Sequence, residues 1–386
     1  MSTLNDVVIT KLSGGLGRRT PEQDMVSGLL FDGVITSKLA LDKVERLASL
    51  EDAEALRITA EYDINGQSAY YQIQEFFRMN PSGDLYIMAT TGTSYEDVAG
   101  KAMDMQEKAN GNIRQMAIIY SKAATFVATE AAVTKAQTQA ALAYNDYMPF
   151  EVILEGKGFD ANTASSLAGL NAENVSVVIA MDVEKAIKYP NTAAVGMALG
   201  AISRAKVSEN IAWIEKFNLT GEGFAKAGFV GGAEIKTLGT LSELNEKRYI
   251  FTKTHTGLPG VYFNDSHTCT TGTSDFAYVE SNRTINKATR LLRAALLPKL
   301  ASPVLVDIDG KLPQSVSKSF EGLCRAALEG MVANQEVSAF DVYVDPKQNI
   351  LATSELKVKA EITPIGTARK IMVDLGFKNP FGIDKA

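Results

Sequence analysis

Few side chains in this sequence could do acid–base, nucleophilic or metal chemistry near neutral pH: His255, His267, Cys269 and Cys324. A histidine titrates in that range and can carry a proton, and two histidines with two thiolates match in kind a tetrahedral zinc set. The spacing argues against that use. His267-Thr268-Cys269 is not a CxxC pair, and Cys324 falls on the apolar face of a helical pattern. All four read as ordinary loop and core residues, with no metal and no cofactor expected. No GxxxxGK[ST] phosphate loop and no GxSxG elbow occurs. The cluster SGGLGRR holds Gly14, Gly15 and Gly17, which would let backbone amides approach an anion. It runs into Arg18-Arg19-Thr20-Pro21 instead of opening a helix after a core strand, so it reads as a flexible joint. The acid pairs Glu51-Asp52 and Glu96-Asp97 fall at expected helix starts, where they complement the helix dipole. The chain is expected not to be an enzyme.

The elements that would position these residues belong to an ordinary globular protein. With 386 residues, 46% hydrophobic and 22% charged, the chain can bury a sizeable core in two or three domains. A net charge of −6 disfavours a polyanion partner for the whole molecule, and no nucleic acid is expected. Two cysteines are too few for a disulfide framework. The start, MSTLNDVVITKLSGG, lacks the basic and apolar regions of a secretion signal. No window approaches the roughly 20 apolar residues of a spanning helix. Production in the cytoplasm, with no direct membrane insertion, is the expectation.

Along the chain, Val7–Leu12 reads as a strand before the glycine joint. From Pro21 to about Thr240 helix and strand alternate. Strands are expected at Leu29–Phe31, Leu85–Ala89, Gln115–Tyr120, Glu151–Leu154 and Val175–Ala180. Helices are expected at Ser37–Leu50, Ser68–Met79, Tyr95–Ala109 and Ala123–Tyr144, with Asn80-Pro81-Ser82-Gly83 and Asn110-Gly111 as stops. This is an α/β body around a mostly parallel or mixed sheet. A loop-rich passage, Thr252–Ser274, precedes helices at Arg283–Leu297 and Val316–Met331. Three period-2 strands close the chain: Phe340–Val344, Leu356–Ile362 and Ile371–Phe377, each with one apolar face.

Charge placement points to assembly. Residues 1–20 carry net +2 and residues 357–386 net +3, so with a total of −6 the body between them is −11. Basic ends on an acidic body suit head-to-tail contact between copies, and they equally suit solvated tails. The strand pattern favours contact. A terminal strand such as Ile371–Phe377 is an aggregation hazard if left open, and both terminal strands make sense if they add to a neighbour's sheet. In the Arg283–Leu297 helix, Arg283, Lys287, Arg290 and Arg293 occur without an acid, and the first three share a face. That stripe is either solvated or meets an acidic surface on a neighbouring copy or another partner.

At this point the sequence resembles the contractile tail sheath proteins, specifically their small type. SAYYQIQEFFRMNPSGDLYIMA is similar to the family's helix, turn and apolar strand, and AAVGMALGAISRAKVSENIAWI to its small-residue segment ending in an Arg. FAYVESNRTINKATRLLRAAL resembles its strand, Arg-bearing turn and helix. The stretch from SFEGLCRAALEGMVANQEVSAFDVYVDP through LKVKAEITPIGTARKIMVDLGF resembles its closing helix and strands. The family's aromatic-rich connector is missing, with Trp213 nearly alone.

The resemblance implies a two-domain α+β and α/β subunit with mixed sheets and extended N- and C-terminal β arms. Residues 1–20 would be the N-terminal linking arm, 21–239 an outer α/β domain, 240–356 the inner core domain, and 357–386 the C-terminal strands and linking arm. Such subunits form stacked sixfold rings around a tail tube, capped by baseplate and terminator proteins, in a phage tail or injection particle. The arm residues would be Val7, Val8, Ile9, Lys11, Arg18 and Arg19 at one end. At the other they would be Arg369, Lys370, Ile371, Val373, Leu375, Phe377 and Lys378. Contacts to tube or neighbour would come from Arg283, Lys287, Arg290 and Arg293, and from Lys318, Glu321, Arg325 and Glu329 on the polar side of the Val316–Met331 helix.

Overall fold

The structure, a computed structural model, describes residues 23–234 and 237–377. Six strands make the main sheet: β1 (Val26–Asp32), β2 (Val44–Leu47), β3 (Asp84–Thr90), β4 (Gln115–Ile119), β5 (Glu151–Glu155) and β6 (Val175–Val178). Their order is β2-β3-β1-β4-β5-β6. All neighbours run parallel except β2, which is antiparallel to β3 at the edge. Strand β1 is buried along its whole length, as a parallel sheet covered on both faces requires. Leu29, Phe31, Ile87, Ala117 and Ile153 face one layer with Phe76, Leu199 and Ile202. Leu30, Met88, Met116, Ile118 and Leu154 face the other with Val98, Ala132 and Ala136.

The first layer holds the Ala69–Met79 and Val195–Arg204 helices, which pack together without a side chain at Gly196. A Cβ there would lie 2.1 Å from the Gln72 carbonyl oxygen. The Gln72 side chain clasps the same contact, accepting from Gly196 N at 2.6 Å and donating to the Ala193 carbonyl at 2.7 Å. The second layer holds the alanine-rich Phe126–Asn145 helix, whose buried Ala132, Ala136, Ala140 and Ala143 let it lie close to the sheet.

Two expectations of local structure fail, each for a tertiary reason. The helix expected over Ser37–Leu50 is mostly absent. Asp42 sits at φ 54 and accepts from Thr90 Oγ1 at 2.7 Å, and the chain then adds β2 to the open edge of β3. Arg46 locks that pairing on Asp84 (Nε to Oδ1, 2.8 Å). Backbone bonds to a sheet edge outweigh a modest helical propensity. The loop-rich passage also contains a hairpin, β9 (Thr252–His255) with β10 (Leu258–Phe263), turned at Gly257 with φ 83. A further small antiparallel pair is β7 (Ala180–Asp182) with β8 (Ala227–Phe229).

The C-terminal unit has its own core of Ala288, Cys324, Leu328, Met331, Val337 and Val342. It comprises the helices Val279–Leu296 and Gln314–Ala333 and the antiparallel pair β11 (Val337–Tyr343) and β12 (Lys359–Pro364). The expected boundary at 239/240 is not where the cores divide. Tyr249, Phe251 and Cys269 lie in one core of the large sheet, and Ile250, Val261, Phe263 and Val279 in the other. The division falls at the Val279–Leu296 helix. Among the described residues no helix is long and apolar enough to cross a membrane.

Candidate assembly interface

In β11, Phe340 and Val342 turn toward the two helices, opposite Ile362 and Ala360 of β12, while Asp341, Tyr343, Lys359 and Glu361 are exposed. This is the one-faced alternation expected of the first two closing strands. Among the described residues the pair has no third strand, so each member keeps an open edge.

The polar side of the Gln314–Ala333 helix is largely tied to β11. Glu321 accepts from Lys318 Nζ at 2.6 Å and from Val344 N at 3.1 Å. Those bonds, Lys318 first, hold its carboxyl below the ordinary range. Arg325 pairs with Asp341 and donates to the Val342 carbonyl at 2.8 Å. Glu329 is exposed. Of the four side chains expected on a tube or neighbour, three therefore also serve the subunit's own packing.

The basic stripe faces inward, which corrects the expectation that Arg283, Lys287 and Arg290 reach a partner. Its counter-charges are in the same chain. Asp24, just before β1, pairs with Lys287 Nζ and Arg290 Nη2, each at 2.6 Å. Lys287 also reaches Glu336 at 2.6 Å. Arg283 is buried and donates to the carbonyls of Ala205, Lys206 and Asp24, each at 3.2 Å. Burial pushes its guanidinium down to about 10. For Asp24 burial acts upward, but the Lys287 hydrogen bond and the charges of Lys287, Arg290 and Arg283 outweigh it, leaving the carboxyl below its ordinary value. Arg293 remains at the surface, its guanidinium 3.5 Å from the centroid of the Tyr147 ring.

The C-terminal segment leaves β12 and touches down once more, at Arg369. Its Nε lies 3.0 Å from Asp265 Oδ2, and its Nη2 donates to Glu280. Asn210 Nδ2 ties the acids together, 2.6 Å from Asp265 Oδ1 and 2.9 Å from Glu280 Oε1. Beyond this anchor the chain has no strand partner among the described residues. Ile371 is 81% exposed, Val373 77%, Leu375 95% and Phe377 fully so. Among the described residues the third closing strand is thus not formed: Lys370 and the apolar register that follows are exposed. The expected arm residues Val7, Val8, Ile9, Lys11, Arg18, Arg19 and Lys378 lie outside the described residues.

The residues first considered for chemistry are placed apart. His267 Nε2 lies 2.9 Å from Asn245 Oδ1, and burial lowers its pKa to about 4. Cys269 is buried in the large core and Cys324 in the small one. Among the described residues no three His, Cys, Asp or Glu side chains are grouped to hold a metal ion. Asp24, Asp265, Glu280 and Glu336 went unnoticed in the sequence because each is an isolated acid there. Only Asp24 and Glu336 had a pointer, and an indirect one, since the acid-free run from Arg283 to Arg293 must find its counter-charges elsewhere.

Comparison with known structures shows where this architecture recurs. The chain is similar to a chain of the anti-feeding prophage baseplate (TM-score 0.66, 14% identity, covering 98% of this chain and 100% of that one). It is similar to the contracted helical sheath of the anti-feeding prophage (TM-score 0.66, 15% identity, 98% and 100% covered). It is also similar to the contracted PVC sheath of an extracellular contractile injection system (TM-score 0.64, 11% identity, 98% of each chain). At these identities the likeness shows the fold, and the sheath-type fold expected from the sequence holds over nearly the whole chain. No curated protein matches it. Residues 4–267 match the family model described as the DUF2586 N-terminal domain and residues 275–382 that of the DUF2586 C-terminal domain; the chain belongs to the DUF2586 family.

Proposed function

We propose that this chain is the structural subunit of a contractile sheath, which polymerises around a tail tube and contracts to drive it through a target envelope. The observation that carries this reading is the C-terminal segment, whose Ile371, Val373, Leu375 and Phe377 are all exposed. Such a segment is suited to extend a sheet of another copy, and among the described residues the two-stranded β11–β12 pair offers open edges. Each main-chain bond contributes only about 0.5–1.5 kcal/mol, so several must form together. Joints of this head-to-tail kind propagate into an open helix.

In this reading residues 1–20 and 357–386 are the linking arms, the copies stack in sixfold rings, and tube, baseplate and terminator proteins are the partners. The inner, tube-facing part is the C-terminal unit, with Arg293 and Glu329 on its exposed surface. The role is structural, not enzymatic. The protein is made in the cytoplasm and ends in a tail or injection particle.

Negative-stain images of the purified protein are expected to show long hollow cylinders, and monomers under every condition would overturn the reading. Deleting residues 369–386 is expected to abolish cylinders while leaving a folded body; cylinders that survive the deletion refute the arm mechanism. A second reading, a baseplate component, is favoured by the likeness to a chain of the anti-feeding prophage baseplate. Mixing with purified tube separates the two: a sheath jackets the tube along its length, a baseplate component binds its end.

A further inference from the structure

Both ends of the described chain are fastened to one helix. The first turn of the Val279–Leu296 helix, with Tyr278 just before it, holds Arg369. Its guanidinium lies 3.4 Å from the centroid of the Tyr278 ring, pairs with Glu280, and reaches Asp265 at 3.0 Å. Further along the same helix, Arg283 holds the Asp24 carbonyl at 3.2 Å, and, two to three turns from Glu280, Lys287 and Arg290 hold the Asp24 carboxylate at 2.6 Å. Asp24 lies two residues before β1, and Arg369 two residues before the exposed apolar register.

Both clamps are built to hold. The Asp265 and Glu280 side chains are 9% and 8% exposed, while Arg369 is 32% exposed. If Arg369 leaves, two mostly buried carboxylates lose their cation, which is costlier than breaking a surface pair. At the other clamp Asp24 is 14% exposed and Lys287 and Arg290 18% each. A guanidinium stacked on a ring and paired with two acids is also fixed in direction, so it sets the line along which the chain departs.

We infer that Arg369 and Asp24 are positioning residues that root the two linking segments on the Val279–Leu296 helix, so that a pull on one end reaches the other through this single helix and bypasses the six-stranded sheet. This rests on the sheath reading, and it adds the path by which force crosses each subunit. The body can then rotate during contraction while the two roots keep a constant separation.

The test uses the full chain in two formats. In the soluble subunit, spin labels on Thr367→Cys and Ala294→Cys report the distance from the C-terminal segment to the helix, because both native thiols are buried. The parent is expected to give one narrow distance, Arg369→Gln a severalfold broader one, and Arg369→Lys an intermediate width, with thermal unfolding confirming a folded body. An unchanged narrow distance in Arg369→Gln overturns the root. In assemblies, Arg369→Gln and Asp24→Asn cylinders are expected to break at ring boundaries on contraction, shortening mean length severalfold. Lengths equal to the parent's overturn the force path. A parent that forms no cylinders would instead sink the sheath reading, and the label distances would still report on the clamp.

Discussion

The guanidinium of Arg369 lies 3.4 Å from the centroid of the Tyr278 ring, and the exposed apolar register begins two residues after this contact. Before it, β12 lies in its sheet; after it, every apolar side chain from Ile371 to Phe377 is in water. An Arg held by a ring and two carboxylates gives an otherwise loose tail a fixed point of departure.

Because those apolar side chains are exposed among the described residues, replacing them should be silent in the monomer. The pair Leu375→Asp with Phe377→Asp is expected to change unfolding free energy by no more than about 0.5 kcal/mol, yet to abolish cylinders. Urea melts and electron microscopy on the same preparation check both halves. A large loss of monomer stability would mean that the segment packs on its own chain.

Glu151, at the start of β5, is buried and accepts from Asn174 Nδ2 at 3.1 Å and Asn286 Nδ2 at 2.9 Å. Burial raises its pKa to about 8, the two amide hydrogen bonds pulling only partly the other way. Between its ordinary value of 4.5 and about 8 the unfolded chain has released a proton that the folded chain still holds, so stability falls as pH rises through that window. The full effect is on the order of 5 kcal/mol. Glu151→Gln removes it, so the variant's melting temperature should gain on the parent's steadily from pH 5 to pH 8. Parallel curves would show that Glu151 is ionised in the fold.

Gly196 sits where the Ala69–Met79 and Val195–Arg204 helices meet, with no room for a methyl group because the obstacle, the Gln72 carbonyl, is backbone. Gly196→Ala should cost about 1–3 kcal/mol by overpacking. Gly221→Ala, with open space around the position, should stay within about 0.5 kcal/mol. Equal effects at both sites would disprove the close approach.

Cys269 and Cys324 are both fully buried, and burial pushes both thiols up. Neither should react with a disulfide-exchange reagent in the native protein at pH 8, and two equivalents should appear on denaturation. Rapid labelling of Cys324 in the native state would show that the C-terminal unit opens independently of the body.

Much of the architecture was already determined by sequence pattern. The continuous apolar runs in β1, β3 and β4 require burial on both faces, and the stop signals after Met79 and Ala109 work by chain chemistry alone, Asn110 and Gly111 both taking positive φ. Tertiary structure alone decided the rest, because it depends on which distant groups meet. Val44–Leu47 became a strand because β3 had a free edge. The basic stripe turned inward because Asp24 and Glu336, remote in sequence, arrive beside Lys287. Ile371–Phe377 has a strand's alternation, yet hydrogen bonding takes two strands, and within the described subunit no second one reaches it.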